Sequence, residues 1–266
     1  PTEYFTPTAT MLPTETTDAK GVSMVLVPTG DFTMGNDLGE ADERPAHKVF
    51  LDGFYIDKYE VTNVLYRACV NSGFCDLPLR TSVSYRSDYF FSDEFDNYPV
   101  VFVSWDDAKK YCEWRGKRLP TEAEWEKAAR GSNENTYPWG DGIDCNKANY
   151  YDSVDGKICG GGITQVGSYP SGVSPYGAYD MAGNVWEWVS DYFSPTYYAS
   201  LISPIRNPLG PEHGIECEKN TYVWCSVIRG GSYTDFSMDL RTTKRAGLSW
   251  ERKSNVGFRC AGDVNN

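Results

Sequence analysis

The stretch that decides the fold reads Arg229-Gly230-Gly231-Ser232-Tyr233 and closes with Gly257-Phe258-Arg259-Cys260-Ala261. Paired glycines before a serine and an aromatic residue mark a backbone turn. Five and ten residues beyond Gly230 stand Asp235 and Leu240. Neither side chain can act as a thiolate.

Outward from this frame, the chain of 266 residues has room for one large domain or two small ones. Aromatics make up 15% of it, with 19 Tyr and 8 Trp, and the turns can draw on 25 Gly and 15 Pro. That composition predicts a core of large flat side chains joined by many turns. The net charge of −12 argues against a phosphate-backbone partner, so no nucleic-acid role is expected. No run of 18 apolar residues exists, so no membrane span is expected. The first residue is Pro1, not Met, which reads as a mature or excised fragment.

The eight cysteines are Cys69, Cys75, Cys112, Cys145, Cys159, Cys217, Cys225 and Cys260. Cys-x-x-Cys spacing is absent and His47 and His213 are the only histidines, so four disulfides in an oxidising compartment are expected rather than zinc. Eight cysteines permit 105 pairings. Local closure favours Cys69–Cys75, Cys145–Cys159 and Cys217–Cys225.

Residues 1–20 are rich in Thr and Pro and read as an extended tail, with residues 21–264 as one domain. The tail's apolar anchors are Tyr4, Phe5, Met11 and Leu12. They are expected to pack on a folded domain, a neighbouring copy more than their own, which makes a homo-oligomer or filament the expected assembly. Residues 23–34 read as strand, turn, strand, and residues 47–57 as a further strand. Thr62, Ser104 and Thr121 are the expected N-caps of helices over 63–70, 105–115 and 122–130. Beyond residue 131, frequent Gly, Pro, Asn and Asp predict turns and short strands.

Several further motifs occur in order. They are Met24-Val25-Leu26-Val27-Pro28, Tyr59-Glu60-Val61-Thr62-Asn63, Gly116-Lys117-Arg118-Leu119-Pro120-Thr121-Glu122-Ala123-Glu124-Trp125-Glu126 and Met181-Ala182-Gly183-Asn184-Val185-Trp186-Glu187-Trp188. Together with the opening frame they resemble the formylglycine-generating enzyme, or sulfatase-modifying factor, family across nearly all of residues 21–264. The resemblance implies a compact α+β domain of low regularity, related to the C-type lectin fold. The family includes copper oxidases that make formylglycine, iron-dependent sulfoxide synthases, ligand-displaying proteins and extracellular modules joined to kinases. It also implies a bridge between Cys112 and Cys260, the pair left by the three local ones.

The departures from the family pattern bear on function. In active members two copper-binding cysteines occupy the positions of Asp235 and Leu240. A further disulfide of the eukaryotic-type enzymes would fall at Ala129 and Arg245. The synthases need three histidines, and this chain has two. What the resemblance retains is calcium, with Asp180, Gly183, Val185 and Glu187 as ligands. Calcium takes six to eight hard oxygens. Here Asp180 and Glu187 would give carboxylates, and Gly183 and Val185 carbonyls. A second site would involve Asn149, Tyr150 and Asp155.

Other candidate chemistry is sparse. Asp235 and Asp239 could bind a cation or a basic ligand, or form a solvated acidic loop. The aromatic run Tyr85, Tyr89, Phe90, Phe91, Phe95 and Tyr98 could stack on sugars or anchor a partner, or cover the core. The sequence therefore predicts a secreted or cell-surface, calcium-stabilised binding or assembly module without catalysis, taking a protein, a glycan or a copy of itself. The alternative is an enzyme using carboxylates in the same cleft.

Overall fold

The computed structural model describes residues 14–217, 224–249 and 252–264. In chain order the elements are β1 (Glu15–Thr17), β2 (Ser23–Val27), β3 (Gly30–Met34), β4 (His47–Leu51), β5 (Phe54–Asp57), α1 (Asn63–Asn71), α2 (Trp105–Trp114), α3 (Glu122–Arg130), β6 (Tyr151–Asp152), β7 (Lys157–Ile158), β8 (Trp186–Tyr192), α4 (Tyr197–Ser200), β9 (Ile205–Arg206), β10 (Ser226–Arg229), β11 (Arg245–Leu248), β12 (Val256–Phe258) and β13 (Ala261–Asp263). They form an α+β domain of short strands and many loops, as the motifs imply.

Two four-stranded sheets organise it, ordered β1-β2-β5-β13 and β11-β10-β8-β12. In the second, β8 lies between antiparallel β10 and parallel β12, so both halves of the Gly-Gly-Ser…Gly-Phe-Arg-Cys frame flank one central strand. The stretch 47–57, expected as one strand, divides at Asp52-Gly53 and sends β4 and β5 to different sheets.

The capping residues do what the sequence expects at two helices. Ser104 with Asp107, and Thr121 with Glu124, close reciprocal capping boxes that satisfy amides otherwise unpaired at a helix start. Thr62 caps α1 by its extended backbone, without a side-chain bond.

Helix α3 is buried along all nine residues, charged ones included. Two of its acids meet arginines from β10 and β11. Glu122 takes Arg245 through two bonds of 2.8 and 2.6 Å, and Glu126 accepts from Arg229 and Arg130. Arg245 thus sits as a buried cation where the active eukaryotic-type relatives are expected to carry a cysteine, while Ala129 is fully buried in a core with Trp125, Val189 and Val227.

The four expected disulfides are closed, and no free cysteine is present among the described residues. Cys112–Cys260 spans 148 residues and ties α2 to the link between β12 and β13. In the simple entropy model a loop of that length is worth about 4–5 kcal/mol.

The expected boundary at residue 20 moves. Residues 15–17 pair antiparallel with β2, so this part of the tail lies on its own domain. Asp18 then meets the buried guanidinium of Arg115, which also grips Asp57. The edge of a sheet presents unpaired N–H and C=O groups, a template on which an extended segment pairs. Tyr4, Phe5, Met11 and Leu12 lie outside the described residues.

Candidate functional site

The Gly-Gly-Ser turn follows β10. Gly230 and Gly231 adopt φ of 95° and 72°, and a Cβ on Gly231 would lie 2.8 Å from the Leu240 side chain, so a larger residue would be strained and crowded there. The turn presents Ser232, whose side chain is fully buried. Asp235 folds back on it. Its Oδ2 accepts from the Ser232 amide at 3.0 Å, from the Ser232 hydroxyl, and from Trp186 Nε1 at 2.8 Å. Asn255 donates to the same serine hydroxyl at 3.2 Å. Leu240 is fully buried against Tyr137, Ala148, Tyr150 and Ala182. Asp239 lies 3.6 Å from the Lys244 ammonium. The two positions at which the resemblance places thiolates therefore hold a turn-locking acid and a core residue.

The segment 180–187 backs onto this turn. Gly183 donates to the Gly230 carbonyl, and Tyr233 to that of Asn184. Asp180, Gly183 and Asn184 all have positive φ, and a Cβ on Gly183 would strike the Asn149 carbonyl at 2.3 Å.

Its acids are enclosed. Glu187, on β8, accepts from Arg259 through Nε at 2.7 Å and Nη2 at 2.6 Å, and from Trp125 Nε1 at 2.8 Å. Arg259 also donates to the carbonyls of Asp57 and Tyr179. Asp180 accepts from the Gly167 amide at 2.6 Å, and burial pushes its carboxyl up to about 6. Glu60, a third buried acid, accepts from Asn184 Nδ2 at 2.8 Å and from the Val185 amide at 3.3 Å. Burial first, then the charges of Asp180 and Glu187, push the Glu60 carboxyl well above the usual range. Sequence reasoning placed Glu60 in a motif but gave it no role. Nothing local could have, since its partners lie more than 120 residues along the chain.

Three buried carboxyls thus share one guanidinium. That excess of acid calls for a proton or a cation, because an uncompensated buried charge is costly. The donor set fits calcium in part: Asp180 accepts from the Gly167 amide through one carboxylate oxygen, whereas Glu187 is engaged by Arg259 and Trp125. Among the described residues, no three or more His, Cys, Asp or Glu side chains group as a metal cluster.

The second expected set is divided. Asn149 is buried, donating to Gly162 and Asn184 and accepting from Gly160. The Tyr150 carbonyl accepts from Cys159. Asp155 instead sits exposed in the β6–β7 turn, 2.8 Å from Lys157. The aromatic run divides: Tyr89, Phe90 and Phe95 are buried in the core, while Tyr85 and Phe91 are about half exposed. His47 is buried, bonded to the Pro45 carbonyl and packed on Tyr198, and His213 stacks on Trp224.

A low-regularity α+β domain with this turn and this acid-lined loop defines the class of protein to which the chain is compared. The chain belongs to the family of the sulfatase-modifying factor enzyme 1-like domain, whose model matches residues 9–264. Over 253 residues it is 38% identical to the serine/threonine-protein kinase Pkn1 of Chlamydia trachomatis, covering 91% of this chain and 38% of that one. It is 32% identical to the formylglycine-generating enzyme of Mus musculus, covering 90% and 75%, and 32% identical to the inactive C-alpha-formylglycine-generating enzyme 2 of Bos taurus, covering 90% and 88%. Among solved structures, PvdO from Pseudomonas aeruginosa matches with a TM-score of 0.71 at 28% identity, covering 96% of this chain and all of that one. The family thus holds active and inactive members, and the chain spans little more than a third of the chlamydial kinase.

Proposed function

We propose that this domain is a non-catalytic binding or assembly module of an extracellular or cell-surface protein. The observation that carries the reading is the fate of the two thiolate positions. Asp235 is tied down by Ser232 and Trp186, and Leu240 is buried in the core. Cu(I) selects soft sulfur, and neither side chain offers any. A cleft enzyme built on Asp235 and Asp239 is disfavoured because the first acid holds the turn and the second pairs with Lys244. Four disulfides suit an oxidising compartment. The test is incubation with copper, oxygen and a cysteine-containing sulfatase peptide. No formylglycine is expected, and turnover above a protein-free control refutes the reading.

Calcium is part of the proposal. Asp180, with the carbonyls of Gly183 and Val185, would hold the ion, which would supply the positive charge that Glu60, Asp180 and Glu187 lack beyond Arg259. Glu187 would act on the ion through its charge or by exchanging part of its contact with Arg259. An ion bound only by the folded state raises the melting temperature by mass action. Chelator is therefore expected to lower it, and Asp180→Ala to remove most of that sensitivity. An unchanged melting point under chelation overturns the site.

A further inference from the structure

A cavity of about 740 Å³ opens beside Tyr233, the residue after the Gly-Gly-Ser turn. Arg80, Ser82, Ser84, Arg86 and Ser254 line it, with Phe102 in its wall. The Tyr85 ring, also in the lining, lies 6.5 Å from that of Tyr233.

Its charge is opposite to that of the protein. The net charge is −12. Of three other cavities, one is lined by Asp52, Glu113, Glu124 and Asp263 with Lys109 and Arg118, one by Asp37 and Glu134 with Arg130 and Arg241, and one by Asp57 and Glu60 with no cation. The cavity beside Tyr233 has two arginines and no carboxylate in its lining. Among the described residues neither Arg80 nor Arg86 has a carboxylate within ion-pair distance, whereas Arg115, Arg229, Arg245 and Arg259 are all paired.

The two cations are held differently. Arg86 is fixed: it donates to the Ile163 carbonyl at 3.1 Å, and its guanidinium lies 4.6, 4.8 and 5.3 Å from the ring centres of Tyr98, Phe95 and Tyr85. Stacking places the fork without neutralising it, so little freedom is lost when it takes a ligand. Arg80 is exposed and lies 5.8 Å from the Phe102 ring centre. Phe102 itself adopts φ of 60°, a left-handed conformation that a phenylalanine keeps only where its surroundings impose it. Bonds from its amide to Lys253 and to its carbonyl from Leu79 impose it here.

We propose that this cavity binds an oxyanion, a carboxylate, sulfate or phosphate, free or carried on a saccharide. Arg86 is the preset donor, Arg80 closes over the anion, and the serine hydroxyls complete the shell. Paired forks and hydroxyls recognise oxyanions through charge-assisted bonds. The inference rests on the reading of the domain as a binding module and names its ligand class.

The test is calorimetric titration at low ionic strength with inorganic sulfate, inorganic phosphate, glucuronate, a sulfated disaccharide and maltose. Arg80→Glu and Ser84→Asp change exposed residues, and an unmoved melting temperature confirms that each variant folds. At least one oxyanion probe is expected to bind, maltose is not, and each variant is expected to weaken binding by about tenfold or more, the usual scale of one charged bond. Tighter binding of the sulfated disaccharide or glucuronate than of free sulfate or phosphate supports the site and assigns the source to a saccharide. Equal or tighter binding of a free ion supports it and assigns the source to the small anion. Absence of binding by every oxyanion probe, or affinity unchanged in both variants, overturns it. Formylglycine production would overturn the non-catalytic reading while leaving this site standing, so the two failures are distinguishable.

Discussion

Replacing Arg245 tests how the domain is held together where its active relatives are expected to use a disulfide. Arg245 and Glu122 are almost wholly buried, with side-chain exposures of 0% and 1%. Arg245 gives two bonds to Glu122 and two more to the carbonyls of Asp42 and Ser194. Burial pushes the Glu122 carboxyl up, but Arg245 and then Arg229 outweigh it and hold it below its ordinary value. Arg245→Met strands that carboxylate with only Arg229, 3.7 Å away. Breaking one side of a buried pair costs about 3–5 kcal/mol. At about 2–4 °C per kcal/mol for a domain of this size, the melting temperature should fall by about 6–20 °C. Glu122→Leu should cost a similar amount. The double variant should be more stable than either single one, because the buried charges leave together and only the bonds to two carbonyls, about 1 kcal/mol each, stay lost. Thermal denaturation followed by tryptophan fluorescence measures all four proteins. A fall below about 2 °C for Arg245→Met, or a double variant as damaged as the sum of the singles, refutes the reasoning.

Asp191 should give a pH signature of opposite sign to Glu122. Burial, then the nearby Glu122 charge, raises its carboxyl to about 7. Between about pH 4 and 7 the folded state keeps a proton that the unfolded chain has released, so this group's contribution to stability falls as pH rises through that window. Asp191→Asn should flatten that component; an identical pH–stability curve in both proteins counts against it. The Cys112→Ala/Cys260→Ala variant should lose about 4–5 kcal/mol, and alkylation of the unreduced wild type should label no cysteine. A labelled Cys112 or Cys260 contradicts that pairing. For assembly, a truncation must stop short of β1, which belongs to the sheet. Removing residues 1–13 should abolish self-association while leaving a folded monomer. An unchanged mass by light scattering shows the segment to be only a tether.

The sequence by itself determined the elements whose causes are local. Ser104 with Asp107 and Thr121 with Glu124 are three residues apart, so the helix starts were legible before any tertiary contact. That Asp235 and Leu240 offer no thiolate was legible too, since residue identity alone decides it. Cys112–Cys260 was expected as the pair the three local bridges leave, with the resemblance in support, because no local spacing ties positions 148 residues apart. Tertiary structure decided the rest. Helix α3, rich in Glu, Lys and Arg, would read as a solvent-facing element from its charge alone. It is buried because Arg229 and Arg245 arrive from β10 and β11 to neutralise its acids. Glu60 joined Asp180 and Glu187, and Asp155 parted from Asn149, for a related reason. A side chain's charge is written in the sequence, but its compensation depends on which distant backbone passes beside it. Only the packed sheets fix that neighbour.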